Sequence, residues 1–207
     1  MKTNAELRAA ARTQLGNNIF SETWLMGLVL GAIYMAVSAL TSYMIGLVLI
    51  GPVSIAITAI YLKLARGTAT KIDLAELGFG FRGDTIVRYI CLYLLQYVYI
   101  WLWSLLFVIP GIVKTYAYRL APYIAIERPE LSINDCITES RRLMDGHKMQ
   151  AFLLDLSFLG WLILGSMACG VGAAFVYPYM FSAQANFYLA LIEKEGPIEV
   201  QAENVAA

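Results

Sequence analysis

Long apolar runs without charge alternate with short charged segments along this chain. No charged residue occurs within 23–62, 89–113 or 156–192. About 20 apolar residues cross the hydrocarbon core of a membrane as a helix, so the first and third runs are each long enough for two helices. The second run holds one helix, and the apolar stretch after it supplies another despite Lys114 and Arg119. The pattern predicts six membrane-spanning helices, over about 24–44, 48–66, 86–108, 111–127, 150–169 and 173–192.

The loops predict how these helices are oriented. The tight turns expected near 46–52, 109–111 and 169–172 contain no Lys or Arg. Loops rich in Lys and Arg stay on the cytoplasmic side, so both termini are expected in the cytoplasm. The first apolar run is too long for a signal peptide, which in a bacterium places the chain in the plasma membrane. The basic loop residues are Lys2, Arg8, Arg12, Arg66, Lys71, Arg82, Arg128, Arg141, Arg142, Lys148 and Lys194.

A similar order of features precedes each predicted pair of helices. A segment of the form Ser/Thr-x-x-Asp/Glu can cap the first turn of a helix, and a glycine about one short helix later can end it. The three candidate caps are 3–6, 70–73 and 132–135. The three glycines are Gly16, Gly83 and Gly146. Each pair is therefore expected to follow a short cytoplasmic amphipathic helix.

A proline near each outer turn completes the repeated unit. Pro52, Pro110 and Pro178 are expected in the first turn of the second helix of each pair, where a missing N–H costs nothing. The chain is thus predicted to be an all-α integral membrane six-helix bundle made of three helical hairpins. The single transmembrane domain would cover 1–195, and 196–207 would be a flexible cytoplasmic tail. The repeat-like units are about 3–67, 70–128 and 132–194; the alternative is that any multi-pass protein alternates caps and prolines.

The third amphipathic helix shows the clearest pattern. One face follows the i, i+3, i+4 spacing of a helix, and charged residues occupy the other. The helix is expected to anchor its hairpin at the inner leaflet or to cover the cytoplasmic end of the bundle; a regulatory or partner-docking role is the alternative. Its apolar face consists of Ile133, Cys136, Ile137, Ser140, Leu143 and Met144.

Ionisable residues within the predicted helices are the candidates for a functional site, because charge inside a bilayer is costly. Arg119 and Asp155 lie at matching depths from the cytoplasmic side, so they are expected to pair or to share a polar pocket. Gln96, Gln184 and Asn186 fall at similar depths and would complete a polar cluster in the inner half. The cluster either forms a functional cavity or merely bonds neighbouring helices.

Lys114 is expected apart from this cluster, near the outer surface. It follows Pro110-Gly111 by one turn of helix. Its side chain would either extend outward to the interface or face a cavity beside a broken segment, since irregular backbone in a membrane needs protein or water around it.

Composition narrows the chemistry further. The chain is 59% hydrophobic and 14% charged, whereas a soluble domain carries about 25% charged residues. Acidic and basic residues balance at 15 each, which favours no nucleic-acid partner. His147 is the only histidine, and Cys91, Cys136 and Cys169 show no ligand spacing, so no metal, cofactor or catalytic triad is expected. The protein is predicted not to be an enzyme.

Several short motifs stand out between 105 and 190. They are 109–112, Tyr116, Tyr118, 121–123, 129–132, 140–141, 144–148, 154–158, 178–180 and 185–188. Together these motifs resemble a bacterial membrane family known only as a domain of unknown function. A more distant similarity is to the membrane portion of glycerophosphodiester phosphodiesterases, whose catalytic barrel has no counterpart here. The resemblance implies a multi-pass bacterial membrane protein without a transferred activity, and it places Asp155, Asn186 and 146–148 within recurring motifs.

Two functions are compatible with these features. The first is a non-catalytic module that binds membrane lipid, or assembles with a second copy or another membrane protein. The second is a small permease or channel lined by Gln96, Arg119, Asp155 and Asn186. A transporter needs polar residues through the whole membrane, whereas here they concentrate in the inner half, which favours the module.

Overall fold

The computed structural model describes residues 3–16, 21–39, 44–83, 85–106, 108–167 and 171–195. Over these residues the structure has nine α-helices, one 3₁₀ segment (Leu74–Phe81) and no β-strand, so the expected all-α class is confirmed. The predicted tail 196–207 lies outside the described residues. The α-helices are α1 Asn4–Gln14, α2 Glu22–Ala39, α3 Met44–Ala65, α4 Ile86–Leu106, α5 Val108–Tyr118, α6 Ala121–Glu127, α7 Ile133–Leu143, α8 Lys148–Met167 and α9 Val171–Glu195.

Three helices within the described residues are long and apolar enough to cross a membrane. They are α2, the part Val48–Ala65 of α3, and the part Ile86–Leu105 of α4. The α2 and α4 segments are only 22% and 17% buried, whereas the α3 segment is 72% buried. The protein therefore wraps its other helices around α3 and leaves large apolar faces of α2 and α4 uncovered. Six membrane-spanning helices remain a prediction.

The core lies where α3 meets α2 and α9. Tyr61 of α3 is 1% exposed and stacks on Phe181 of α9, with 5.6 Å between the ring centroids. Gly27 lets α2 approach this pair, because a Cβ there would overlap the Tyr61 hydroxyl and Pro178. Aromatic packing and one close helix approach thus hold the central three helices together.

The predicted position of the prolines is wrong in two of three cases. Helix α3 begins at Met44, so the turn expected near 46–52 is helical and Pro52 lies inside α3. Pro178 likewise lies inside α9, and only Pro110 falls in a first turn, that of α5. An interior proline removes one backbone hydrogen bond, but both helices stay continuous, and several neighbouring helices pack against each of them.

Two of the three predicted caps form as expected. Thr3 and Glu6 make a reciprocal capping box at α1, and Ser132 accepts from the Asp135 amide at α7. The middle segment differs: Asp73, not Thr70, caps a 3₁₀ segment by accepting from the Ala75 amide. Threefold duplication therefore stays a prediction, since the middle unit lacks the α-helix that opens the other two.

The 3₁₀ segment lies against α3 because glycine allows it. Lys63 of α3 bonds Glu76 at 2.7 Å near one end of the segment. Near the other end, a Cβ at Gly80 would overlap the backbone carbonyl of Pro52. Any side chain at position 80 would therefore push the segment away from α3.

The fourth predicted helix is two helices, α5 and α6, divided at Arg119 and Leu120. Pro122 explains the division, because it has no N–H to donate to the carbonyl of Tyr118 four residues earlier. Helix α7 packs against α4, α5 and α6 at this point. Its predicted apolar face is confirmed, with Cys136, Ile137, Ser140, Leu143 and Met144 all buried.

Candidate functional site

The predicted pairing of Arg119 with Asp155 is confirmed. The two guanidinium nitrogens Nη1 and Nη2 of Arg119 donate to the two Asp155 oxygens at 2.7 and 2.8 Å. Tyr116 donates its hydroxyl to Asp155 Oδ2 at 3.2 Å, and its ring centroid lies 5.6 Å from the Arg119 guanidinium carbon. Such a bidentate pair satisfies both charges where they are only 19% and 27% exposed.

Gln96 binds the backbone at the division between α5 and α6, not the Arg119–Asp155 pair. Its Nε2 donates to the carbonyl oxygen of Tyr118 at 3.0 Å, which is the acceptor that Pro122 leaves without a donor. Ser140 of α7 satisfies two more backbone groups at this division. Its hydroxyl donates to the Ala117 carbonyl at 2.8 Å and accepts from the Leu120 amide at 3.1 Å. Buried backbone groups are costly to leave unpaired, so these side chains make the broken helix stable.

Asn186 belongs to a different polar group, which joins α1 to α9. Its Nδ2 donates to Gln14 Oε1 at 2.7 Å, and Gln14 Nε2 donates back to Asn186 Oδ1 at 3.1 Å. Ser182 donates to the same Gln14 oxygen at 2.9 Å. Gln184 lies two residues before Asn186 and so projects from another side of α9. These contacts fasten α1 to the bundle.

The expectation that Lys114 lies apart near the outer surface is wrong in its surroundings. Its ammonium lies 4.5 Å from the ring centroid of Trp103. It also lines a cleft with Arg141 and Lys148, which belong to the loop predicted to be cytoplasmic. The cause is α7, which packs beside α5 instead of remaining at the end of the bundle.

The six predicted residues therefore do not meet in one cavity. Arg119 and Asp155 bind each other, Gln96 and Asn186 bind other parts of the protein, and Lys114 lines a separate cleft. The Gln96 and Asn186 amides form hydrogen bonds to neighbouring helices, which was one of the two roles expected for the cluster.

A larger cavity lies elsewhere, between α1, α2, α8 and α9, and we call it the α1 groove. Its volume is about 1030 Å³. Five aromatic side chains form one wall, with Tyr179 packed against Trp24 at 6.1 Å and edge-on against Phe158 at 5.0 Å between ring centroids. Arg8 and Arg12 of α1 also line the groove. The aromatic wall consists of Trp24, Phe158, Trp161, Phe175 and Tyr179.

The pattern of α1 explains why both arginines reach this groove. Leu7, Ala11 and Leu15 are fully buried and fix the inner face of the helix. Arg8 and Arg12 each follow one position later, four residues apart, so they project together along one flank. Arg8 Nε donates to the Asn4 carbonyl at 3.3 Å. No carboxylate within the described residues makes a salt bridge with either guanidinium.

Trp24 adds an unused donor to the wall of the α1 groove. Its side chain is 8% exposed, and its indole nitrogen has no hydrogen-bond partner among the residues that the structure describes. An apolar groove edged by two guanidinium groups matches a molecule with a long apolar part and an anionic end.

Sequence reasoning used Arg8 and Arg12 only to orient the chain and missed the α1 groove. Their i, i+4 spacing on an amphipathic helix was the available signal. The sequence carried no signal for the aromatic wall, because its residues come from α2, α8 and α9 and are not adjacent in the chain.

Cys136 is the described thiol closest to a charged group. Arg88 Nη2 lies 3.7 Å from its sulfur. Burial nevertheless raises the pKa of the Cys136 thiol above its ordinary value, against the lowering effect of Arg88. The group therefore stays a neutral thiol near pH 7, which is the unreactive form.

One family model matches part of the chain. Residues 106–195 match the family model described as "Protein of unknown function (DUF975)". The matched part runs from the end of α4 through α9, so it includes Arg119, Ser140 and Asp155 and excludes α1. No curated protein and no solved structure matches the chain. The similarity to glycerophosphodiester phosphodiesterases stays a prediction.

Proposed function

We propose that this chain is a non-catalytic integral membrane protein of the bacterial plasma membrane that binds an anionic phospholipid of the inner leaflet in the α1 groove. In this proposal both termini are cytoplasmic. The observation that carries the proposal is the groove itself, which joins an aromatic wall to two guanidinium groups that make no salt bridge with a carboxylate in the described part of the chain.

The two edges of the α1 groove suit the two parts of a phospholipid. Acyl chains would lie on the aromatic wall, where Trp161 is 63% and Phe175 36% exposed. The headgroup phosphate would accept hydrogen bonds from Arg8 and Arg12, and each bond to a charged group contributes about 1.5–3 kcal/mol. Arginine suits this role because its planar fork matches phosphate oxygens.

The position of α1 supports an inner-leaflet ligand. Its apolar face packs on α9, α3 and α8, so the helix belongs to the bundle instead of lying free in the headgroup region. Under the predicted topology α1 is cytoplasmic. Its arginines would then stand at the level of the inner headgroups, where basic residues attract anionic lipids by about 1 kcal/mol each.

The polar contacts within the bundle give less support to a permease. A path for ions or solutes needs polar side chains that are available to the passing species. Arg119 and Asp155 instead satisfy each other, and Gln96 bonds backbone at the α5–α6 division. Assembly with a second copy or another membrane protein is compatible with lipid binding in the α1 groove. The lipid-retention test described next distinguishes lipid binding from assembly alone.

The test is mass spectrometry of lipids that co-purify with the full-length protein. We expect the wild type to retain anionic phospholipid above its share of the membrane. Arg8→Gln combined with Arg12→Gln should lower that retention by at least about tenfold, because two charged hydrogen bonds are lost. Lys71→Gln combined with Arg82→Gln, which removes the same charge from an exposed loop, should retain the wild-type amount.

Further variants separate this site from the other interpretations. Asp155→Asn should leave lipid retention unchanged; loss of a defined lipid in that variant would place the site at Arg119 and contradict the α1 groove. Equal retention of bulk lipid in wild type and in the Arg8/Arg12 variant would also contradict the proposal. In that case the cytoplasmic helices would be examined as surfaces for a protein partner.

A further inference from the structure

A second cavity, unlike the α1 groove, has four basic residues in its lining. It lies where α5, α7 and the start of α8 meet and has a volume of about 470 Å³. We call it the basic cleft. Its charged lining consists of Lys114, Arg141, Arg142, Lys148 and Asp145, and the hydroxyl of Thr138 lies among them.

Carboxylates compensate only two of the four cations. Arg142 makes hydrogen bonds to both oxygens of Glu139, at 2.6 to 3.0 Å. Lys148 lies 3.6 Å from Asp145.

Lys114 and Arg141 have no salt bridge within the described part of the chain. The basic cleft therefore carries a net surplus of two positive charges.

Neither of these two charges is paired with Asp145, the carboxylate that lines the cleft. The ammonium of Lys114 rests over the ring of Trp103 at 4.5 Å, an attraction that needs no carboxylate. Arg141 comes from the last turn of α7, and Lys148 is the first residue of α8. The negative end of α7 and the positive end of α8 both lie at the cleft and offset each other, so its positive field comes from the side chains.

We propose that the basic cleft binds a phosphate group. Two uncompensated cations suit a phosphate group with one or two negative charges, and the Thr138 hydroxyl offers a neutral donor beside them. The phosphate can come from an anionic lipid headgroup or from a soluble phosphate compound. The site shares no residue with the α1 groove, so either binding site can fail while the other stands.

The test uses the full-length protein in nanodiscs of phosphatidylcholine, whose headgroups have no net charge. Binding of inorganic phosphate is followed by the broadening of its phosphorus-31 resonance, with chloride at the same ionic strength as the reference. We expect saturable phosphate binding. Lys114→Gln combined with Arg141→Gln should weaken it by about tenfold or more, because two charge-assisted contacts are lost.

Arg82→Gln is the matched control. Arg82 is another exposed cation that lies over an aromatic ring, 5.4 Å from the centroid of Phe79, but it is not part of the basic cleft. Its removal should leave phosphate binding unchanged. If the double variant does not fold, Arg141→Gln alone carries the test, because Arg141 is exposed.

A second set of nanodiscs distinguishes the source of the phosphate. Part of the phosphatidylcholine is replaced by phosphatidylglycerol. Competition between this lipid and inorganic phosphate, lost in the Arg141→Gln variant, would identify a lipid headgroup as the ligand. Phosphate affinity that is indifferent to the lipid would identify a soluble phosphate compound. The proposal is overturned if neither phosphate nor phosphatidylglycerol binds in a manner that depends on Lys114 and Arg141.

Discussion

At the scale of single residues, two polar side chains, those of Gln96 and Ser140, satisfy buried backbone groups. Pro122 removes one donor at the α5–α6 division, and Gln96 replaces it from α4. Ser140, which is fully buried, bonds two more backbone groups at the same place. The sequence placed Gln96 in a polar cluster but did not predict its partner. That partner is the backbone carbonyl of Tyr118, and the identity of residue 118 does not reveal which group bonds its carbonyl.

Ser140→Ala should destabilise the protein by about 1–3 kcal/mol, because it leaves the Ala117 carbonyl and the Leu120 amide buried without partners. The measurement is thermal or denaturant unfolding of the purified protein in detergent. Ser157→Ala is the control, since the Ser157 hydroxyl bonds only the Leu154 carbonyl of its own helix. Equal stability of the two variants would show that the division does not depend on α7.

At the scale of elements, the sequence predicted features that depend on residues close together in the chain, and it did not predict features that depend on contacts between distant helices. The capping box of α1 and the apolar face of α7 involve residues close in sequence, so both could be predicted. The helical continuation through Pro52 and Pro178 could not, because the packing that offsets a lost hydrogen bond comes from distant helices. The 3₁₀ segment was also missed, since its form depends on its contact with α3.

The contact between the 3₁₀ segment and α3 allows a sharp test. Gly80→Ala should destabilise the protein by about 1–3 kcal/mol, because the added methyl group would overlap the Pro52 carbonyl and force the two elements apart. Gly78→Ala is a matched control in the same segment, where a Cβ would meet no atom within 4 Å. Unfolding of both variants in detergent measures the difference. Equal effects would mean that the segment is not pressed against α3.

At the scale of the whole molecule, the Arg119–Asp155 pair joins α8 to the α5–α6 division. Depth along two helices was enough to predict it, because two opposite charges at one level in a bilayer have a strong reason to meet. The α1 groove and the basic cleft could not be predicted in this way. Each is assembled from three or four elements, and their relative positions depend on how the helices pack.

A double-mutant cycle measures what the ion pair contributes. Arg119→Ala and Asp155→Ala should each destabilise the protein, with a coupling of about 1–3 kcal/mol between them, because either change leaves a poorly solvated charge. The Lys71–Glu22 pair is the control, since its side chains are 65% and 60% exposed. Exposed pairs contribute about 0–1 kcal/mol. Coupling no larger than the control, together with a solute flux that Asp155→Asn abolishes, would favour a permease.

The groups that complete the α5–α6 division are synthesised at different times. Gln96 precedes Tyr118 in the chain, so that carbonyl can find its partner as soon as the two helices meet. Ser140 is synthesised about 20 residues after Leu120, which leaves the Ala117 carbonyl and the Leu120 amide without it in the meantime. The α5–α6 division is therefore fully hydrogen-bonded only after α7 has been made and has packed against it.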